Sequence, residues 1–239
     1  MLIQLTDLLL FAALFAGAVA SYLTRKLTHT AAFTGFLGGI IIYFGAGYTG
    51  ICCLAFFFFS GTLATAWGRR EKQVLEKSGD STQRTSGQVL ANSGAATLFA
   101  LLALIFPAYA KLFILMLAAS FSSATSDTLS SELGMLYGRR FYNCLTWKKE
   151  ASGLDGVVSF EGTMAGFVGT VMIAIIYAIG IQFNSTFLLI IFAGMAGNFA
   201  DSFFGATLER KSLLNNDMVN FFSTLVAAGI ACLIYLCIN

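Results

Sequence analysis

Residues 120–134, "SFSSATSDTLSSELG", set Asp127 and Glu132 among hydroxyl side chains at the end of a long apolar run. Four further polar clusters border apolar runs in the same way: "QRTSGQVLANSG" (83–94), "GLDGVVSFEGTMAG" (153–166), "NFADSFFGATLE" (198–209) and "NNDMVNFFST" (215–224). Carboxylates beside hydrocarbon are expensive, so Asp127, Glu132, Glu161, Asp201 and Asp217 need a purpose. A divalent cation would offset their mutual repulsion. Mg²⁺ takes one or two carboxylates and fills its shell with phosphate oxygens and water, so these acids suit a site that handles phosphates. In "SFEGT", Ser159 can cap a helix whose free N–H groups then face an anion, with the Thr163 hydroxyl beside them. Gly162 and Gly166 also fit G-x-x-x-G helix packing, and both uses stay open. On an ideal helix Ser123, Asp127, Ser130 and Ser131 share a face. Glu132 points about 140° away from Asp127. Both acids reach one ion only if the helix ends or unwinds there, and Gly134 suggests such an end. Glu209 and Asp155 read as end-of-helix charges or caps.

The elements that must position these groups are membrane spans. The chain of 239 residues is 57% hydrophobic and only 11% charged, against about 25% charged in soluble domains. Apolar segments run at about 2–22, 31–47, 49–66, 88–106, 110–126, 160–180, 185–203 and 218–238. The expectation is a single all-α integral membrane domain over residues 1–239 with about eight transmembrane helices (range six to nine). "AVAS" at 18–21 resembles a signal-peptidase site, but no Lys or Arg precedes it and Asp7 does, so the first segment is expected to stay as a span. Of the 14 Lys and Arg residues, 13 fall in the connections after segments one, three, five and seven; Lys111 alone lies on the other side. The positive-inside rule puts those connections, including loops 67–87 and 137–157, in the cytoplasm and both termini outside. The first part of loop 67–87 could form a short surface helix. All five polar clusters then meet at the cytoplasmic face, where an active site is expected.

Other chemistries lack their residues. One histidine, His29, rules out a multi-histidine metal centre within one chain and a two-histidine phosphatase; beside Arg25 and Lys26 it reads as interfacial. No P-loop or kinase-type glycine loop occurs. No basic stripe points to nucleic acid. Four of the five cysteines lie in apolar runs and read as packing.

The five motifs, in this order and spacing, resemble the integral membrane family that contains plant phytyl-phosphate kinase and animal transmembrane protein 19. The likeness covers about residue 30 to the C-terminus. "SDTLSSELG" followed by "SFEGTMAG" is also similar, more distantly, to the paired motifs of dolichol kinases and CDP-lipid synthases, which use CTP and Mg²⁺. Asp127 would match their leading Asp, and Ser159, Glu161 and Gly162 the second motif. Phe160 stands where those relatives often carry Lys. The resemblance implies a kinase that phosphorylates an isoprenoid monophosphate to the diphosphate with a nucleoside triphosphate, CTP or another. The lipid would lie in the bilayer and the nucleotide would arrive from the cytoplasm. Asp127 and Asp201 are expected to hold Mg²⁺ with Glu132 helping. Arg84, Asn92 and the turn of Ser159, Glu161, Gly162 and Thr163 would hold phosphate, and Asn216 and Asp217 would complete the site. A lipid-phosphate transporter or flippase and a cytidylyl transferase making a CDP-lipid are the alternatives. Lipid chain length, donor base and oligomeric state are not readable from the sequence.

Overall fold

In lipid every backbone N–H and C=O must find a partner within the protein, so apolar runs of this length fold as helices. The computed structural model describes residues 4–69, 71–72 and 83–238. It contains α1 (Leu5–Leu23), α2 (His29–Ala66), α3 (Ser86–Ile105), a 3₁₀ turn (Pro107–Tyr109), α4 (Ala110–Tyr137), β1 (Phe141–Asn143), β2 (Val157–Ser159), α5 (Phe160–Gly180), α6 (Thr186–Phe204) and α7 (Asn216–Ile238). A π-helical turn, Gly205–Glu209, continues α6.

Seven helices among the described residues are long and apolar enough to cross a membrane. One of them crosses twice. A straight α2 of 38 residues would reach about 57 Å, nearly double a hydrocarbon core of about 30 Å. Gly47 breaks it, with φ 59° and ψ −152°, a backbone open to glycine but not to a residue with Cβ. The two ends return to one place. Thr28, just before the helix, donates its N–H to the Arg84 carbonyl at 3.0 Å, and the Arg84 guanidinium donates to Thr65 Oγ1, in the last turn, at 3.4 Å. Segments 29–46 and 48–66 therefore run antiparallel, and the chain makes the eight crossings expected.

The bundle is built around α4, which packs against α2, α3, α5, α6 and α7. Leu115, Leu117 and Phe121 of α4, Ile173 of α5 and Ile190 of α6 are fully buried in one core. Small residues bring the backbones together. A Cβ on Gly194 would sit 2.0 Å from Ser122 Oγ, one on Gly197 2.3 Å from Ser123 Oγ, and one on Gly166 2.1 Å from Ser130 Oγ. By contrast α1 is peripheral and touches chiefly α2.

One expectation needs correction. The segment drawn as 110–126 does not end at Asp127, and Gly134 does not stop it: α4 continues to Tyr137, and Gly138 N–H closes it on the Gly134 carbonyl at 2.8 Å. The polar stretch stays helical because its hydroxyls bond carbonyls one turn back, as Ser131 Oγ does to Asp127 O at 2.9 Å. Gly134 instead lets α5 approach, and a Cβ there would lie 3.0 Å from Gly162 Cα. The all-α class holds, with one small addition. The 137–157 loop and its flank form an antiparallel strand pair, with Phe141 opposite Ser159 and Asn143 opposite Val157. In the first part of loop 67–87, where a short helix was expected, Arg69, Glu71 and Lys72 are helical; Arg70 and residues 73–82, with Lys77, lie outside the described residues.

Candidate functional site

The clusters converge on one cavity of about 590 Å³ at the end of the bundle that carries the basic connections. Helices α3 to α7 and Phe57 of α2 wall it, and residues 152–159, the end of the loop and β2, roof it. Arg84, Asn92, Asp127, Glu132, Ser159, Gly162, Thr163, Asp201 and Asn216 line it, as expected. Glu161 and Asp217 do not.

Asp127 and Asp201 are neighbours in the lining, and Asp201 also neighbours Ser223 of α7. Asp201 Oδ2 is buried with no hydrogen-bond partner. Two neighbouring carboxylates need a shared proton or a cation between them. The donors are all oxygen, which suits a hard cation such as Mg²⁺. No group of three or more His, Cys, Asp or Glu that could hold a metal occurs among the described residues. A cation here would therefore take two protein carboxylates and draw the rest of its shell from substrate oxygens and water.

Glu132 does a different job. Its carboxylate accepts from Lys72 Nζ at 2.5 Å and from Thr65 Oγ1 at 2.7 Å. The continuous helix turns it away from the aspartate pair, so it does not help hold an ion with them. It faces Arg84 instead. Backbone bonds on both sides, Arg84 N–H to Lys26 O at 2.9 Å and Thr28 N–H to Arg84 O, fix Arg84 at the mouth of α3. Burial pushes the Arg84 guanidinium below its ordinary pKa, and the Glu132 charge opposes that. A guanidinium stays protonated regardless, so the cavity has a fixed cation on one wall.

The α5 N-terminus forms another wall. Ser159 Oγ accepts from Gly162 N–H at 3.1 Å, and Thr163 Oγ1 donates to Ser159 O at 2.9 Å. Gly162 therefore sits in the capped first turn of α5 and packs against Ser130 and Gly134 of α4. Glu161 points off the cavity and accepts from Arg139 N–H at 3.3 Å, because the first turn of α5 rotates it outward. Asp217 in the first turn of α7 packs against Gly87 in the first turn of α3, its carboxylate 2.6 Å from where a Cβ would stand. There it complements two helix N-termini. Lys148 and Lys149 are not in the lining.

The lining also holds Gln88, Asn198 and Asn220, which the sequence reading does not single out, and Asp155 and Glu209, which it reads as end-of-helix charges or caps. Asn198 Nδ2 donates to Ser126 Oγ at 2.9 Å and to Ser130 Oγ at 2.8 Å, tying α6 to α4 beside the acids. Helical spacing carried a signal for most of them. Gln88 and Asn92, Asn198 and Asp201, and Asn216 and Asn220 are each one turn apart. The roof is fastened to α6. Arg210 donates from Nε to Asp155 O at 2.7 Å and from the guanidinium to Glu150 Oε2 at 2.6 Å. That pairing holds the Glu150 carboxyl below its usual range. Gly156, at φ +70°, lies so close that a Cβ would meet the Ala206 Cβ at 2.4 Å.

Fold and site thus define a polytopic membrane protein with a polar cavity walled by six of its helices. The chain belongs to the family described as integral membrane protein DUF92, which matches residues 12–228. It is similar to the membrane protein MJ0933 of Methanocaldococcus jannaschii, 36% identical over 199 residues that cover 83% of this chain and 81% of that one. It is 34% identical over 200 residues to the membrane protein sll0875 of Synechocystis, covering 81% and 76% of the two chains. It is 30% identical over 208 residues to the chloroplastic protein VTE6 of Arabidopsis thaliana, covering 83% and 62%. No solved structure matches.

Proposed function

We propose that this protein is a membrane-embedded kinase that converts an isoprenoid monophosphate to the diphosphate, using Mg²⁺ and a nucleoside triphosphate, CTP foremost. One observation carries the proposal. The Asp127–Asp201 pair, with its unpartnered buried oxygen, shares one cavity with the Arg84 guanidinium and the capped N-terminus of α5. Carboxylates for a cation stand beside groups that attract phosphate. The resemblance of the five motifs to the family that contains plant phytyl-phosphate kinase supports the same reaction.

Phosphoryl transfer needs alignment and charge neutralisation more than covalent chemistry. Bound Mg²⁺, held by Asp127 and Asp201, would neutralise the phosphates. Arg84 and the N–H groups of the α5 first turn would orient them. An oxygen of the lipid phosphate attacks the terminal phosphorus of the donor. The bond to the bridging oxygen breaks, and the nucleoside diphosphate leaves with that electron pair. The basic end of the bundle would face the cytoplasm, which supplies the donor.

The test is purified protein in nanodiscs with Mg²⁺, labelled CTP and phytyl, farnesyl or geranylgeranyl phosphate. The expected products are the lipid diphosphate and CDP. Release of pyrophosphate with a CDP-lipid would make it a cytidylyl transferase. No turnover with any of these lipids and CTP, ATP, GTP or UTP would exclude the kinase. Flux is disfavoured by a closed far side: Phe57 in the cavity wall stacks on Phe121 at 5.9 Å, over the packed core.

A further inference from the structure

The cavity has a floor. Phe57 and Phe121 close it, and below them Leu117, Ile173 and Ile190 are fully buried. An apolar chain cannot pass down through the bundle. Above, the strand pair covers the opening. Of the apolar residues in the lining, Leu154 and Phe199 are half exposed, and Leu154 belongs to the roof. Phe199 is 52% exposed. It also belongs to a stripe on α6, with Leu188, Phe192 and Phe203, that is exposed along its length at helical spacing. One ring thus touches the cavity on one side and the lipid-facing surface on the other. It lies on the α5 flank of α6. Met195, one turn before Phe199, meets Ser126 of α4 at 3.6 Å, whereas Gly197, about 160° round the helix from Phe199, meets Ala227 of α7. Thr163 of α5 lines the cavity across from it.

We infer that the gap between α5 and α6 at Phe199 is a side portal through which a lipid phosphate reaches the aspartate pair, its chain remaining in the bilayer. This rests on the lipid-phosphate reading and adds a specificity rule to it. Only the phosphate and the first isoprene unit or so enter the protein. The remainder of the chain contacts lipid, so the protein does not measure chain length. A pocket that enclosed the chain would discriminate by tenfold or more for a missing methylene or isoprene unit.

Two arms test this. In the first, Trp67 and Trp147 are replaced by Phe and Phe199→Trp supplies a single indole, in nanodiscs of phospholipid brominated on its chains. Quenching is expected, and geranylgeranyl phosphate without nucleotide should relieve it by displacing brominated chains. Phe192→Trp, on the same stripe but outside the cavity lining, should be quenched without relief. An unquenched Trp at 199, or equal behaviour at the two positions, overturns the portal. In the second arm, kcat/KM for monophosphates of two, three and four isoprene units should agree within about threefold. A sharp optimum overturns the rule. Absence of turnover with every chain would defeat the kinase reading, and the quenching arm alone would then decide the portal.

Discussion

Helix α4 carries two stretches of nearly the same composition that do opposite things. Ser120, Ser122, Ser123 and Ser126 are fully buried, and three of them lie against glycines of α5 or α6: Ser122 against Gly194, Ser123 against Gly197 and Ser126 against Gly166. One or two turns on, Asp127, Thr128, Ser130 and Ser131 line a cavity. The chemistry of the α4 residues does not separate them; what the neighbours present does. Where α5 and α6 offer glycine, a serine is a small spacer that lets backbones close up. Where α6 offers Asp201 the gap stays open and polar, and Ser130, against Gly166 of α5 and bonded by Asn198, stands at the boundary. A hydroxyl run in a membrane helix is therefore ambiguous until its partners are known.

The sharpest way to break this comparison is at the first residue of the open stretch. Asp127→Asn keeps the shape but removes a charge from the aspartate pair. Lipid-phosphate turnover should fall by about 10²–10³ or more, with unfolding temperature unchanged or raised. Asp201→Asn should do the same. If both variants keep activity, the open stretch is only a polar helix segment, and the contrast with the packed stretch loses its functional meaning.

The packed stretch should respond the other way. Gly194→Val drives a side chain into Ser122, where even a Cβ would stand 2.0 Å from the hydroxyl oxygen. The expected cost is about 1–3 kcal/mol or more of stability, seen as a lower unfolding temperature in detergent. Ser123 Oγ has no hydrogen-bond partner, so Ser123→Ala should leave both stability and turnover nearly unchanged. Ser130→Ala removes an acceptor of Asn198 and should lower turnover several-fold with little effect on folding. If Ser123→Ala also lowers turnover, the boundary between the two stretches is misplaced.

That boundary was only partly visible in the sequence. The spans and their number were legible because apolar runs and one-sided basic residues reinforce each other. The turn at Gly47 was legible because "GAGYTG" interrupts an otherwise continuous run. Convergence of Asp127, Asp201, Arg84 and Ser159 followed from topology alone. The end of α4 was not legible. A polar stretch after an apolar run looks like a helix leaving the membrane, and nothing local says that it will stay helical beside Gly162 and Gly166 of α5 for almost three more turns. Glu132 was misassigned for the same reason, since its role depends on Lys72 in a connection whose path the sequence does not show. The strand pair was missed because each strand spans three residues, too few for an alternating pattern to register.

The smallest effect concerns the roof, which only the open stretch possesses. The Glu150 carboxyl is held below its ordinary value chiefly by the Arg210 guanidinium. The attraction is therefore fully present above the ordinary glutamate range of about pH 4.3 and is lost as pH falls through the depressed value. At neutral pH, Glu150→Gln should mimic the acid form. Hydrogen exchange over residues 141–159 should quicken modestly in the variant, with α4 residues 115–126 unaffected. Acidifying the wild-type protein below about pH 4 should reproduce the change. The exposed ion pair is a weak tether, and Gly156 packed on Ala206 holds the roof independently of pH. If exchange is unchanged in both experiments, that packing alone fastens the roof. If α4 residues 115–126 also quicken, the two stretches unfold together, and the distinction between a packed half and a working half does not extend to their stability.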